Sequence, residues 1–343
     1  MKAIRYHKHG TSDVLRYEEV ETPQIGPNDV LVKVKTCGVN YVDILARDGK
    51  LPVKIALPRI PGVEITGEVV ERGDMVDSID VGQAVVALSR VGCGRCEYCL
   101  TAEENICINN QSLGLNLDGG YAEYTCIPVK NIVPLPNGVS FLDAAGAPLS
   151  GLTAWHMLVT RAQVKAGEDV LILAAGSGIG SIAVQIAKFS GARVIATAGS
   201  DVKLTKAKTL GADVVINHRE QDIYEEVRRI TNKRGVDVVF EHVGTATWEK
   251  SIASLARNGR LVTCGAHTGH MGTIDIWRLF SKQVSLLGSY YGTKRELVEV
   301  LKLISQGKLR TIIHQVFPLD GAHEAQRAME TRSAFGKLVL EMN

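Results

Sequence analysis

No apolar run in the chain reaches the roughly 18 residues needed to cross a bilayer, so no membrane span is expected. The opening Met1-Lys2-Ala3-Ile4-Arg5-Tyr6-His7-Lys8 lacks the apolar stretch of a secretory signal. Neither sign of charge is in excess: 39 Lys and Arg stand against 37 Asp and Glu, a formal +2. That balance gives no electrostatic case for a nucleic acid or membrane surface as partner. Internal repeats and low-complexity tracts are missing as well. The expectation is a soluble, cytoplasmic protein acting on a small molecule. Its 343 residues, at about 150 per domain, suggest two domains with cores of their own.

The pattern changes along the chain. The first third is β-rich, with β-branched segments at 30–35, 65–70 and 84–88 bounded by Pro and Gly; helical spacing first shows over 141–159. From Asp169 short apolar runs alternate with helical spacing: 170–173, then 181–189, 193–197, 202–210, 214–216, 236–240, 260–263 and 284–288. Strand and helix in strict turn predict a parallel sheet covered on both faces. A helix over 294–305 and a strand over 337–341 close the chain, the latter able to rejoin the first domain. The fold class is therefore α/β, with domains at 1–150 (completed by 291–343) and 151–290.

Seven cysteines are present, four of them at Cys93, Cys96, Cys99 and Cys107. Four soft ligands so closely spaced suit tetrahedral zinc with no open position, a structural rather than catalytic arrangement. A disulfide framework and an iron–sulfur cluster are the alternatives. Cys37, Cys126 and Cys264 read as buried thiols.

The first strand of the alternating half runs into Ala174-Ala175-Gly176-Ser177-Gly178-Ile179-Gly180 and then a helix. Small residues let backbone approach a pyrophosphate, and the helix start offers N–H donors. The next strand ends in Thr197-Ala198-Gly199-Ser200-Asp201-Val202-Lys203. Ala198 stands where an NAD site usually carries an acid, while Ser200 and Lys203 suit a 2′-phosphate, so NADP is expected, with NAD the alternative. Ser200 and Asp201 as plain helix caps are the competing reading.

A β-rich first domain, this cysteine loop and a later dinucleotide-binding domain together resemble the medium-chain dehydrogenase/reductase superfamily. The resemblance implies a GroES-like domain beside a doubly wound Rossmann domain and hydride chemistry on a nicotinamide cofactor. Zinc alcohol dehydrogenases of that superfamily hold a catalytic metal on three segments. Here those segments place Asn40, Val63 and Pro148-Leu149-Ser150 at the ligand positions, so a catalytic zinc is expected to be missing. Asn40 and Asp43 instead match the G-x-N-x-x-D segment of the quinone oxidoreductase type, which commonly lacks the cysteine loop.

The expected activity is thus NADPH-dependent reduction of a quinone or activated alkene, an enone or enoyl thioester, with one structural zinc. An alcohol or aldehyde dehydrogenase with an atypical metal site and an NADPH-binding protein with little turnover are the rivals. Asn40 is the candidate donor to the developing enolate, Asp43 orients its loop and Tyr41 is a candidate acid. Ala175, Gly176, Ser177, Gly178, Ile179 and Gly180 are expected at the cofactor, joined by Thr153, His242, Gly265, Gly288 and Ser289. His156 reads as a helix residue, and His7, His9, His267 and His270 as surface or loop residues. The sixth strand resembles an edge that pairs across a dimer in this superfamily, so a homodimer or homotetramer is expected.

Overall fold

In a computed structural model of the chain, which describes residues 1–342, the molecule divides into two compact units. One comprises Met1–Leu149 together with the chain from Thr293 onward; the other is Ser150–Gly292. No helix among the described residues is long and apolar enough to cross a membrane.

The first unit is built on a seven-stranded sheet. Asp29–Val39 is its longest strand, with Val30, Val32, Val34, Cys37 and Val39 all buried. It pairs antiparallel with Glu64–Arg72, and over its first half with Tyr124–Pro128. Ala84–Ala87 and Ile132–Pro134 extend the sheet beyond Glu64–Arg72. Lys337–Glu341 returns to this sheet, pairing antiparallel with Asp29–Val39 through Leu338↔Val39 and Leu340↔Cys37. Its outer neighbour Ile313–Pro318 lies parallel to it. That edge strand is largely exposed and has no alternating pattern, which is why periodicity alone does not reveal it. A short helix, α1 (Tyr41–Arg47), follows directly on the long strand.

The second unit carries a six-stranded parallel sheet: β1 (Asp169–Ile172), β2 (Arg193–Ala198), β3 (Val214–Asn217), β4 (Val236–Glu241), β5 (Leu255–Thr263) and β6 (Ser285–Gly288). The strand order is β3-β2-β1-β4-β5-β6. The chain winds outward from β1 to β3 and then returns to β4 on the other side of β1, so the topological switch lies between β1 and β4. Val170, Leu171 and Ile172 are buried on both faces, which explains their continuous apolar run. Helices α2 (Gly178–Phe189) and α3 (Asp201–Thr209) follow β1 and β2.

The periodic stretch 141–159 is not one helix. Phe141–Ala144 forms a single turn, and Leu152–Trp155 leads into wide turns over His156–Arg161. The break falls at Ala145-Gly146; Pro148 sits at the start of the wide turn Ala147–Gly151, where its missing N–H costs no helical bond, and that turn runs straight into Leu152–Trp155. Cys37 is buried, whereas Cys126 and Cys264 keep partial exposure.

Candidate active site and metal centre

In the first unit the residues at the expected metal-ligand positions are tied into a buried polar cluster. Asn40 caps α1 from an extended backbone conformation. Its Nδ2 donates to Gly38 O at 3.0 Å and to Glu64 Oε2 at 2.9 Å, and its Oδ1 accepts from Lys337 Nζ at 2.7 Å. Lys337 Nζ also reaches Glu64 Oε2 at 2.5 Å and Val39 O at 3.1 Å. The other Glu64 oxygen accepts from Leu149 N at 3.1 Å. Glu64 is 0% and Lys337 3% exposed, so this is a desolvated ion pair with its remaining polar atoms satisfied. Gly38 makes the approach possible: a Cβ there would sit 2.2 Å from Glu64 Oε2.

This arrangement differs from a free amide awaiting substrate. Both amide hydrogens of Asn40 are already spent on protein oxygens. Asp43, fully buried, accepts from Asn40 N at 2.9 Å and from the Tyr121 hydroxyl at 3.4 Å. Burial is the main influence on its carboxyl, which is pushed up to about 7 despite the Asn40 N–H donor. Tyr41 is half-buried at the first position of α1, and Val63 is 3% exposed. Glu64 and Lys337, the charged members of the cluster, carry no recognisable motif. The available signals are a lone Lys opening an apolar strand and a Glu opening a β-branched one.

The four loop cysteines come together. One ligand atom from each of Cys93, Cys96, Cys99 and Cys107 lies within 4.8 Å of the others, and the Cys96 and Cys107 sulfurs are 3.7 Å apart. Cys93 N donates to Cys107 Sγ at 3.2 Å. The Arg95 backbone N–H is the strongest influence on the Cys93 thiol, drawing it down to about 6, while burial pushes Cys99 up to about 12. Four thiols at this separation cannot all ionise without a cation, and a tetrahedral zinc supplies one. The short helix Glu97–Leu100 buries none of its residues, so the lobe has little core of its own.

In the second unit the glycine turn joins β1 to α2. Ala174 takes the left-handed conformation at φ 47°. Ala175 N bonds Thr197 O at 2.9 Å, and Ser177 caps α2 by accepting from Gly180 N at 3.0 Å. A side chain at Gly180 would begin 2.4 Å from Ala174 O, so only glycine allows the helix this close to the turn. Gly178 and Ile179 occupy the first turn of α2, where N–H groups have no partner within the helix. Ser200 stands at the N-cap of α3 without making a side-chain capping bond. Lys203 comes from the first turn of α3, and Arg219 and His218 follow β3. Arg219 Nε and His218 Nε2 lie 3.0 and 3.1 Å from where a side chain at Gly199 would begin. Sequence reasoning missed both, because they are distant in sequence from the β2 end they face.

The carboxyl ends of the parallel strands hold two buried polar atoms without a partner, His242 Nδ1 and Ser289 Oγ. A nicotinamide dinucleotide, which offers hydroxyl and amide groups, fits such a rim at the end of a doubly wound sheet. Gly265 and Gly288 lie along the same edge, whereas Thr153 is buried on Leu152–Trp155. His156 is likewise buried and helical-turn in context.

Comparison with known proteins agrees with this architecture. Residues 26–137 match the alcohol dehydrogenase GroES-like domain, and residues 178–306 match the zinc-binding dehydrogenase family. An NAD-dependent alcohol dehydrogenase of Sulfolobus acidocaldarius is 36% identical over 100% of both chains. A quinone oxidoreductase of Salmonella typhimurium is 32% identical over 98% of both. A solved structure of an NAD-dependent alcohol dehydrogenase superposes with a TM-score of 0.96 at 41% identity, covering 100% of each chain. The chain belongs to the medium-chain dehydrogenase/reductase superfamily, as an oxidoreductase with a GroES-like domain, a Rossmann domain and the structural-zinc loop.

Proposed function

We propose that this oxidoreductase reduces quinones or activated alkenes with NADPH and without a catalytic metal. The observation that carries the reading is the chemistry at the family's metal-ligand positions. Val63 and Leu149 have no ligating atom, and Asn40 Oδ1 already accepts from the Lys337 ammonium at 2.7 Å. Polarising an isolated carbonyl benefits from a Lewis acid, whereas an unsaturated carbonyl is already electrophilic at its β-carbon. Bound NADPH supplies the hydride.

The chain's own residues set the surroundings of that transfer. Lys337 and Glu64 form a neutral pair that fixes the Asn40 side chain, making Asn40 a positioning residue. Asp43 holds the start of α1 through the Asn40 N–H. Tyr41, next to Asn40 and half-buried, is the proposed proton donor to the enolate.

The NADP preference is supported by the basic group around Gly199. Burial, then Arg219 and Lys206, lower the Lys203 ammonium; burial, then Arg219 and Lys203, lower His218. A 2′-phosphate would relieve that crowding of positive charge. A homodimer or homotetramer in the cytoplasm completes the reading, supported by the part-exposed edge strand β6.

A second reading, alcohol oxidation with NAD, is favoured by the names of two of the relatives above. NADPH and NADH oxidation against quinones, enones, enoyl thioesters and aldehydes, with a zinc count, separates the two. The expected result is enone or quinone turnover and one zinc per chain. A second zinc, or turnover restricted to aldehydes and alcohols, would overturn the proposal.

A further inference from the structure

His242 follows β4 immediately, at the carboxyl edge of the parallel sheet. Its Nε2 lies 3.1 Å from Leu173 O, the last residue before the glycine turn. A carbonyl only accepts, so Nε2 carries the proton and Nδ1 is the bare acceptor nitrogen. The imidazole thereby spans β4 and β1, the two strands between which the chain reverses its winding. Open α/β sheets take their ligands at that crevice.

Two features show that this position is built rather than incidental. The preceding Glu241 is fully buried and satisfied at both oxygens. Oε1 accepts from Val243 N at 2.5 Å and Gly244 N at 3.0 Å; Oε2 accepts from the Thr247 and Ser251 hydroxyls, each at 2.8 Å. That carboxylate ties the two backbone N–H groups that follow His242 to the residue that precedes it. The ring is held edge-on by Phe240 at 5.7 Å and by His267 at 5.9 Å between centroids. Within this fixed frame His242, 3% exposed, still presents Nδ1 to no protein donor. Burial holds the imidazole well below its usual range, so it stays the neutral acceptor.

Ser289 repeats the situation two strands away. Glu241, Thr263 and Gly288 are in register across β4, β5 and β6, which sets His242 and Ser289 at one height along the edge. Two strand spacings separate them by roughly 10 Å. Ser289 N is bonded to Thr263 O at 2.8 Å, while its buried Oγ has no partner.

We infer that His242 Nδ1 accepts a hydrogen bond from a ribose hydroxyl or the carboxamide N–H of the bound dinucleotide's nicotinamide half. Leu173 O fixes the tautomer that permits it. The inference rests on the dinucleotide reading of this unit and adds the residue, atom and protonation state.

The test uses the full chain, ¹⁵N-labelled at histidine, titrated with NADPH and separately with NADH. The His242 Nδ1 resonance is expected to shift upfield on binding while the Nε2–H tautomer persists. In binding titrations His242→Gln, which keeps a donor for Leu173 O but no acceptor at Nδ1, is expected to weaken Kd about tenfold. His242→Asn, with an oxygen near the Nδ1 position, is expected to recover part of that loss. If neither dinucleotide binds the unaltered protein, the cofactor reading itself falls. If binding is intact but the Nδ1 resonance does not move, or His242→Gln binds like the unaltered chain, the inference alone is overturned. The NMR arm reads the native sequence, so a misfolded variant cannot decide the outcome.

Discussion

The two units each bury a polar constellation, and the two are finished differently. In the first, Lys337, Glu64 and Asn40 exhaust one another: each ammonium proton, both carboxylate oxygens and both amide hydrogens have protein partners. In the second, the carboxyl edge leaves His242 Nδ1 and Ser289 Oγ without any. A buried polar atom with no partner costs free energy that a ligand can recover, whereas a satisfied cluster gains little from one. The contrast is between these two groups and not between the units as wholes, since Asp43 Oδ1 beside the first cluster is also buried without a partner.

The largest expected effect comes from opening the satisfied cluster. Lys337→Met leaves the Glu64 carboxylate buried and uncompensated, and unfolding in urea should show a loss of about 3–5 kcal/mol. Adding Glu64→Gln should recover much of it. If the single variant loses under about 1 kcal/mol, the pair behaves like an exposed one, and the contrast with the second unit fails.

Acid tests the unsatisfied edge. The His242 imidazole is lowered to about 4 by burial, against an ordinary value near 6.5. A histidine depressed in the folded state stabilises fully above the unfolded value and loses that contribution as pH falls toward the folded one. Between pH 6.5 and 4 the chain should therefore lose on the order of 3 kcal/mol through this group. Asp43 acts with the opposite sign. Its raised carboxyl contributes stability at low pH that fades as pH rises from about 4 through about 7. Over this shared window the two contributions oppose each other, so His242→Gln, which removes the first, should leave stability falling as pH rises from about 4 to about 7. An unchanged acid limb would show that His242 is not buried neutral.

The smallest effect probes the far end of the cofactor edge. Arg219→Ala should weaken NADPH binding about tenfold and leave NADH nearly unchanged. Equal losses for both would remove Arg219 from the 2′-phosphate site and favour NAD.

Much of this was legible along the chain. Alternating apolar runs from Asp169 announce a parallel sheet because strands buried on both faces cannot tolerate polar positions. The cysteine spacing announces a metal cluster because four ligands on one short loop need no distant partner. Lys337 was legible only as a strand residue, since its meaning comes from Glu64, brought beside it through two strand pairings. Helical spacing over 141–159 is legible too, whereas the turn at Ala145-Gly146 that divides it is not, because small residues there leave the apolar spacing intact.

By itself the sequence determined the two architectures, the zinc-loop ligands and the mismatch at the metal-ligand positions. Each of these follows from residues close together in the chain. Tertiary structure decided which polar atoms are spent and which remain open. Asn40 lost its freedom to Glu64 and Lys337, while His242 acquired its tautomer from Leu173 and kept an empty acceptor. Hydrogen-bond satisfaction depends on pairs separated by tens to hundreds of residues, and only the folded backbone sets those distances.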